Sequence, residues 1–417
     1  MLLCLFLLTL ASSDPEGAGR SSLIRKLTPL VLRGCVLVAD DQRAHFRFPE
    51  GCNPKLTPAS VLKIATAAMA LEKLGPGFRF RTEFFLSGNN SLGIRGHGDP
   101  FLVSEEWNQI AQNLAALKNF PRKLNSLFVD GSLFGDLSFL PGPGRSLNPY
   151  DAPNGALISN FNTIYVRKLK DGTVQSAEPQ TPLTPSTRRW ARSLQPGIQR
   201  IRIPEGPDNA AVYSAELLRF FLRKQGVIIK EDKIQTRETG PDDTLVYRHL
   251  NRRNLKETIA GMMLYSNNFI ANQLLLSAGM REQGPPAVPE KGLKMLRTYF
   301  MKNLGVSSGQ FHVVEGSGLS RENRLTPDAV LQVLKAFRPF MDLLPEEDGI
   351  RVKTGTLAGV YSLAGYLPGK DPLYFVIILN QNRSSAPYHS YDEGAYTKRY
   401  MIFEEFSTKM HEKIEKK

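Results

Sequence analysis

The chain has 417 residues, with 53 Lys and Arg against 40 Asp and Glu and a formal net charge of +13. At 41% hydrophobic and 22% charged residues it can bury a large core, which excludes a disordered or collagen-like chain. At about 100–200 residues per domain the length predicts two or three domains, or one domain carrying a large insertion, and the dispersed positive charge speaks against a nucleic-acid partner.

Leu2 to Leu10 form an apolar run followed by Ala11-Ser12-Ser13, so residues 1–13 read as a secretory signal peptide, although no Lys or Arg precedes the run. At about nine residues it is too short to span a bilayer, which needs about 20. No other stretch approaches that length, and at most peripheral membrane contact is expected. Next come Cys35-Val36-Leu37-Val38-Ala39, a turn at Asp40 to Arg43, and Ala44 to Phe48, the pattern of a β-hairpin. Cys35 and Cys52 bracket it, so they are either joined as a disulfide in an oxidising compartment or are two buried thiols.

Pro58-Ala59-Ser60 introduces a helical run from Val61 to Leu74, stopped by Gly75-Pro76-Gly77. Nearly every face of it is apolar, the mark of a helix buried in a domain centre, and Lys63 inside it needs a partner or a task. Residues 79–249 change to short strand-like runs between Gly/Pro-rich turns and predict an inserted β-rich domain. Within it Arg188, Arg189, Arg192, Arg200 and Arg202 surround Trp190, a basic patch read as a solvated face in preference to an anion site. Helical patterns return from about 255 to 340. Three strands follow, Ile350–Thr356, Gly359–Leu367 and Leu373–Asn380, with the short connections of an antiparallel meander. Residues 401–417 predict a last helix ending in a charged tail at 408–417.

Three short motifs stand in order: Ser60-x-x-Lys63, Ser266-Asn267-Asn268 and Lys353-Thr354-Gly355. Ser60 falls in the first helical turn and Lys63, one turn on, lies on the same face, so its amine can reach the hydroxyl. The helix start adds free N–H groups and a positive dipole, both of which favour an alkoxide or oxyanion. Ser60 is thereby placed to be a nucleophile, against the simpler role of an N-cap. The Ser-x-Asn motif is weaker, since Ser87-Gly88-Asn89 and Ser146-Leu147-Asn148 match it too, and Tyr265-Ser266-Asn267 offers a Tyr-x-Asn frame one residue earlier. Lys-Thr-Gly occurs once, against a chance expectation of about a tenth, and Gly355 leaves room for a substrate backbone alongside its strand. The trio in this order is that of penicillin-binding proteins and class A β-lactamases.

Six longer stretches extend the resemblance: Pro58-Ala59-Ser60 with Lys63, Ile94 to Pro100, Asn148 to Pro153, Ser266 to Asn272, Glu315-Gly316-Ser317-Gly318-Leu319-Ser320-Arg321 and Lys353-Thr354-Gly355-Thr356. With these the chain resembles the D-alanyl-D-alanine carboxypeptidase/endopeptidase family of the DacB type, the low-molecular-mass class C penicillin-binding proteins. Asn267 and Glu315 stand where that family more usually has Asp. The resemblance implies an α+β fold: a serine β-lactamase/transpeptidase-like domain, with a five-stranded antiparallel sheet flanked by helices, carrying a large β-rich insertion. The catalytic domain would comprise residues 21–78 and 250–407, split by the insertion at 79–249.

The implied chemistry is acyl transfer through a serine ester on peptidoglycan stem peptides, with β-lactams as covalent inhibitors and the bacterial periplasm as its compartment. Lys63 must be neutral to take the proton of Ser60, so burial and a neighbouring cation, for which Lys353 is the candidate, must lower its proton affinity. Ser266 would relay the proton to the leaving D-alanine and Asn268 would bind the substrate amide. Lys353, Thr354 and Thr356 would bind the terminal carboxylate, and the N–H groups of Ser60 and Thr356 would form the oxyanion hole. No cofactor or metal is implied, because the six His are scattered and lack ligand spacing. A β-lactamase or esterase on the same scaffold, or a wall-binding protein without activity, are the alternatives.

Overall fold

A computed structural model describes residues 24–380 except Lys26, Leu30, Ser138, Phe139, Arg145, Pro207, Asp348 and Lys370. The expected signal peptide at 1–13, the last helix and the charged tail lie outside the described residues. The chain divides into two units. The first comprises residues up to Met69, Ile259–Asn268 and those from Leu293 onward; the second comprises Ala70–Thr258 and Phe269–Gly292.

The first unit is built on one antiparallel sheet, in the order Glu346–Glu347, Ile350–Leu357, Val360–Leu367, Leu373–Asn380, Gly34–Ala39, Ala44–Phe48. The five longer strands are those expected from the hairpin and the meander, and a two-residue strand is added at one edge. Val360–Leu367 is buried along its whole length, which explains why its sequence shows no apolar/polar alternation. Val36, Val38, Phe46, Val352, Leu363, Phe375 and Ile377 form a core on one face of the sheet. The alternate residues face the helix Pro327–Phe337, where the Tyr366 hydroxyl donates to the Leu334 carbonyl at 2.8 Å. Each such buried large side chain contributes about 1.5–3 kcal/mol. Cys35 and Cys52 are joined as a disulfide with a Cα–Cα distance of 5.9 Å.

Glu346–Glu347 pairs only with Ile350 and Arg351, so from Lys353 to Leu357 the edge of the next strand has no strand neighbour among the described residues. An open edge of this kind is able to accept an extended peptide.

The second unit holds a mixed five-stranded sheet, ordered Ile234–Thr236, Leu127–Asp130, Leu92–Gly96, Arg81–Leu86, Thr244–Leu250, and a three-stranded antiparallel sheet. Two helices, Ser104–Ala116 and Asn209–Lys224, complete its core through Trp107, Ile110, Leu114, Leu217, Leu218 and Phe221. Phe269–Gly292 goes with the second unit. Gln273 there donates to the Gly155 carbonyl at 2.7 Å, and the Asn154 amide donates to Gln273 and to the Phe269 carbonyl, each at 2.9 Å. The arginine patch is largely spoken for: Arg200 pairs with Glu178, Arg202 is buried and pairs with Glu205, and Arg189 lies over the Trp190 ring.

Candidate active site

The segment before Ser60 is clamped to the sheet. The Asn380 side chain accepts from the Thr57 N–H at 2.7 Å and donates to the Thr57 carbonyl at 3.2 Å, while the Ser362 hydroxyl donates to the Pro58 carbonyl at 2.5 Å. Ala59 is held at φ +46°, a conformation that non-glycine residues rarely adopt and that persists only where its surroundings determine it. Ser60 then stands in a 3₁₀ turn, Ala59–Val61, that leads into the helix Leu62–Leu74. The helix start expected at Ser60 is therefore one turn of tighter geometry.

Lys63 is 0% exposed. Its Nζ lies 2.9 Å from Ser60 Oγ, 2.7 Å from Asn268 Oδ1 and 2.7 Å from the Ser317 carbonyl oxygen. Burial, and next the positive charge of Lys353, lower its proton affinity well below that of an ordinary lysine, and Glu315 opposes them. The amine thus sits among acceptors, yet its environment favours the neutral form.

Ser266, also strained at φ +50°, ends the loop after the helix Leu255–Leu264, and the Lys353 amine donates to its Oγ at 3.0 Å and to the Thr354 carbonyl at 2.8 Å. With Ser266 on Lys353 and Asn268 on Lys63, the Ser-x-Asn frame is the one that meets the two lysines; the Tyr265 side chain is exposed. Gly355 lies against the turn that carries Ser60, since a Cβ there would fall 2.8 Å from the Ser60 nitrogen and 2.4 Å from Ser362 Oγ. Thr354 is half-buried and Thr356 exposed, on the strand with the open edge.

Ser60, Lys63, Ser266, Asn268, Lys353, Thr354 and Thr356 are all residues of the first unit. The sequence reading missed the partners that hold them: the Ser317 carbonyl, Ser362, Asn380 and the fully buried Glu315. Of these only the Glu315 loop carried a signal, as a stretch of family likeness without a role. Among the described residues no group of three or more His, Cys, Asp or Glu could hold a metal ion.

An antiparallel sheet with a Ser/Lys pair on one side and a second Ser/Lys pair reached from its strand Ile350–Leu357 defines a class, the serine acyl-transfer enzymes of the β-lactamase/transpeptidase type. Within that class residues 49–193 and 203–346 match the D-Ala-D-Ala carboxypeptidase 3 (S13) family. The chain belongs to this family and is a serine-type D-Ala-D-Ala carboxypeptidase of the DacB type, acting on peptidoglycan. It is 24% identical to the D-alanyl-D-alanine carboxypeptidase of Actinomadura sp. (strain R39), over 90% of this chain and 84% of that one. It is 25% identical to the D-alanyl-D-alanine carboxypeptidase DacB of Haemophilus influenzae, over 46% of this chain and 47% of that one. The fold is that of crystalline penicillin-binding protein 4 (dacB) from Haemophilus influenzae, with a TM-score of 0.73 at 21% identity, covering 92% of this chain and 99% of that one. The same protein complexed with a novel β-lactam matches at a TM-score of 0.67, again at 21% identity and with the same coverage.

Proposed function

We propose that Ser60 is the nucleophile and Lys63 its general base, in a periplasmic enzyme that removes the terminal D-alanine from stem peptides. The observation that carries this reading is the buried Lys63 amine 2.9 Å from Ser60 Oγ, with Lys353 nearby to disfavour a second positive charge. The neutral amine takes the Ser60 proton as Oγ attacks the carbonyl carbon between the two D-alanines. The N–H groups of Ser60 and Thr356 hold the oxyanion, at about 3–4 kcal/mol per donor. Ser266, bonded to Lys353, relays to the departing amine the proton that Lys63 took, which leaves Lys63 neutral; water then attacks the ester, Lys63 accepts its proton and returns it to Ser60 Oγ as that oxygen leaves. Lys353, Thr354 and Thr356 take the carboxylate of the leaving D-alanine, and the Nδ2 of Asn268 holds the substrate amide. The open edge of the Lys353 strand supports an extended peptide lying beside Gly355. β-Lactams enter as substrate mimics that acylate the same hydroxyl.

The expected outcome is release of D-alanine from a pentapeptide ending in D-Ala-D-Ala, with kcat lowered more than about a thousandfold by Ser60→Ala. Release by Ser60→Ala at the wild-type rate would refute the assignment.

A further inference from the structure

We infer that Glu315 is a positioning residue for Lys63: its buried carboxylate folds the loop whose carbonyl meets the amine. The inference rests on the reading of Lys63 as the base for Ser60.

Glu315 is fully buried and accepts from the N–H of Ser317 at 2.6 Å, of Gly318 at 2.6 Å and of Ser320 at 3.3 Å, and from the Asn323 side-chain amide at 2.6 Å. Each of these contacts is donated to it, the pattern of an acceptor-only carboxylate. Asn323 is itself fixed by accepting from the Val314 N–H at 3.0 Å. Wound around this carboxylate, the loop aims two consecutive carbonyls at the nucleophile helix. Gly316 accepts from Thr66 Oγ1 at 2.6 Å and Ser317 accepts from Lys63 Nζ at 2.7 Å. Residues 63 and 66 are three apart and share a helix face, so one turn of loop grips one turn of helix. Gly318 fixes the approach, because at φ +82° a Cβ would fall 1.9 Å from the Ala59 carbonyl oxygen.

The charges facing Lys63 are Lys353 from the strand Ile350–Leu357 and Glu315 from this loop, with Ser60 and Asn268 as neutral partners. Lys353 drives the proton off and Glu315 holds it. Removing the Glu315 charge therefore makes the amine neutral at lower pH and, by the same step, a weaker base.

The test is the rate of acylation by a chromogenic cephalosporin between about pH 5 and about pH 10, for the wild type, Glu315→Gln, the swap Glu315→Gln with Asn323→Asp, and Lys63→Met. Glu315→Gln is expected to move the acid limb about one unit lower and to lower the plateau, and the swap to return the limb to within about half a unit of wild type. A lowered plateau with the limb unmoved would show a structural role alone and overturn the inference. Should Glu315→Gln fail to fold, the swap decides, and a folded swap whose limb lies more than about one unit from wild type overturns it. Lys63→Met separates the two readings: wild-type acylation by that variant sinks the base assignment itself, whereas an inactive Lys63→Met beside an unmoved Glu315→Gln limb sinks only the role of Glu315.

Discussion

A lysine amine sealed from water is expensive to hold, and the cost has a pH signature. The folded state keeps the proton affinity of Lys63 well below its ordinary value of 10.5, whereas the unfolded chain restores it. Between those two values the unfolded state binds the extra proton, so stability rises with pH in that window, by up to about 1.4 kcal/mol per unit from this residue. Lys63→Met carries no such dependence. Its stability relative to wild type is therefore predicted to fall as pH is raised toward the ordinary lysine value of 10.5, measured by urea unfolding; a difference that stays constant would contradict a lowered proton affinity at Lys63. At this scale the sequence was informative about Lys63 and Ser60, because a charged residue three positions from a serine in an otherwise apolar helix has few bland explanations. It was silent about the partners. Asn268 and Ser317 lie 205 and 254 positions away from Lys63, and such pairings depend on tertiary packing that no local pattern encodes.

Individual elements show why the strand Ile350–Leu357 carries glycine. Gly355 has no left-handed backbone to explain it, and a strand interior ordinarily prefers a side chain. The reason is proximity: alanine there would meet Ser362 Oγ at 2.4 Å, the Ser60 nitrogen at 2.8 Å and Ala59 Cβ at 3.1 Å. Gly355→Ala is predicted to fold with a loss of about 1–3 kcal/mol and to acylate at least about a hundredfold more slowly, because the strand must back away from the turn that carries Ser60. Acylation at the wild-type rate, followed with a chromogenic cephalosporin, would show that the turn does not depend on that contact. The five long strands were legible because each is a short run between turn residues, largely apolar at 34–39 and 373–380 and interleaved with polar residues at 44–48 and 350–357. The helices Ser104–Ala116 and Asn209–Lys224 were not separated from the β-like run of residues 79–249, although Trp107, Ile110, Ala111 and Leu114 keep a helical spacing. Dense Gly and Pro turns on either side drew the reading toward strands. The clamp of Thr57 and Pro58 by Asn380 and Ser362 was invisible for a different reason, since a polar residue in an apolar strand does not announce which carbonyl it meets.

On the scale of the whole molecule, 206 positions separate Ser60 from Ser266, and a further 87 separate Ser266 from Lys353, yet all three belong to one unit. That unit's sheet joins the strands at 34–48 to those at 346–380, so the chain must complete its long excursion before the site exists. The length and the motif order led to the expectation of an insertion; that Phe269–Gly292 belongs with Ala70–Thr258 carries no local signal. The net charge of +13 is spread along the chain, whereas the proposed chemistry is assigned to a few residues at fixed places, Lys63 and Lys353 among them. The central claim is that Ser60 forms the covalent bond. Its most direct test is to expose the protein to a β-lactam, digest it, and locate the adduct by mass spectrometry. The account predicts one added β-lactam mass on the peptide bearing Ser60 and none on the Ser60→Ala protein; an adduct on another residue, or labelling that survives Ser60→Ala, would contradict it.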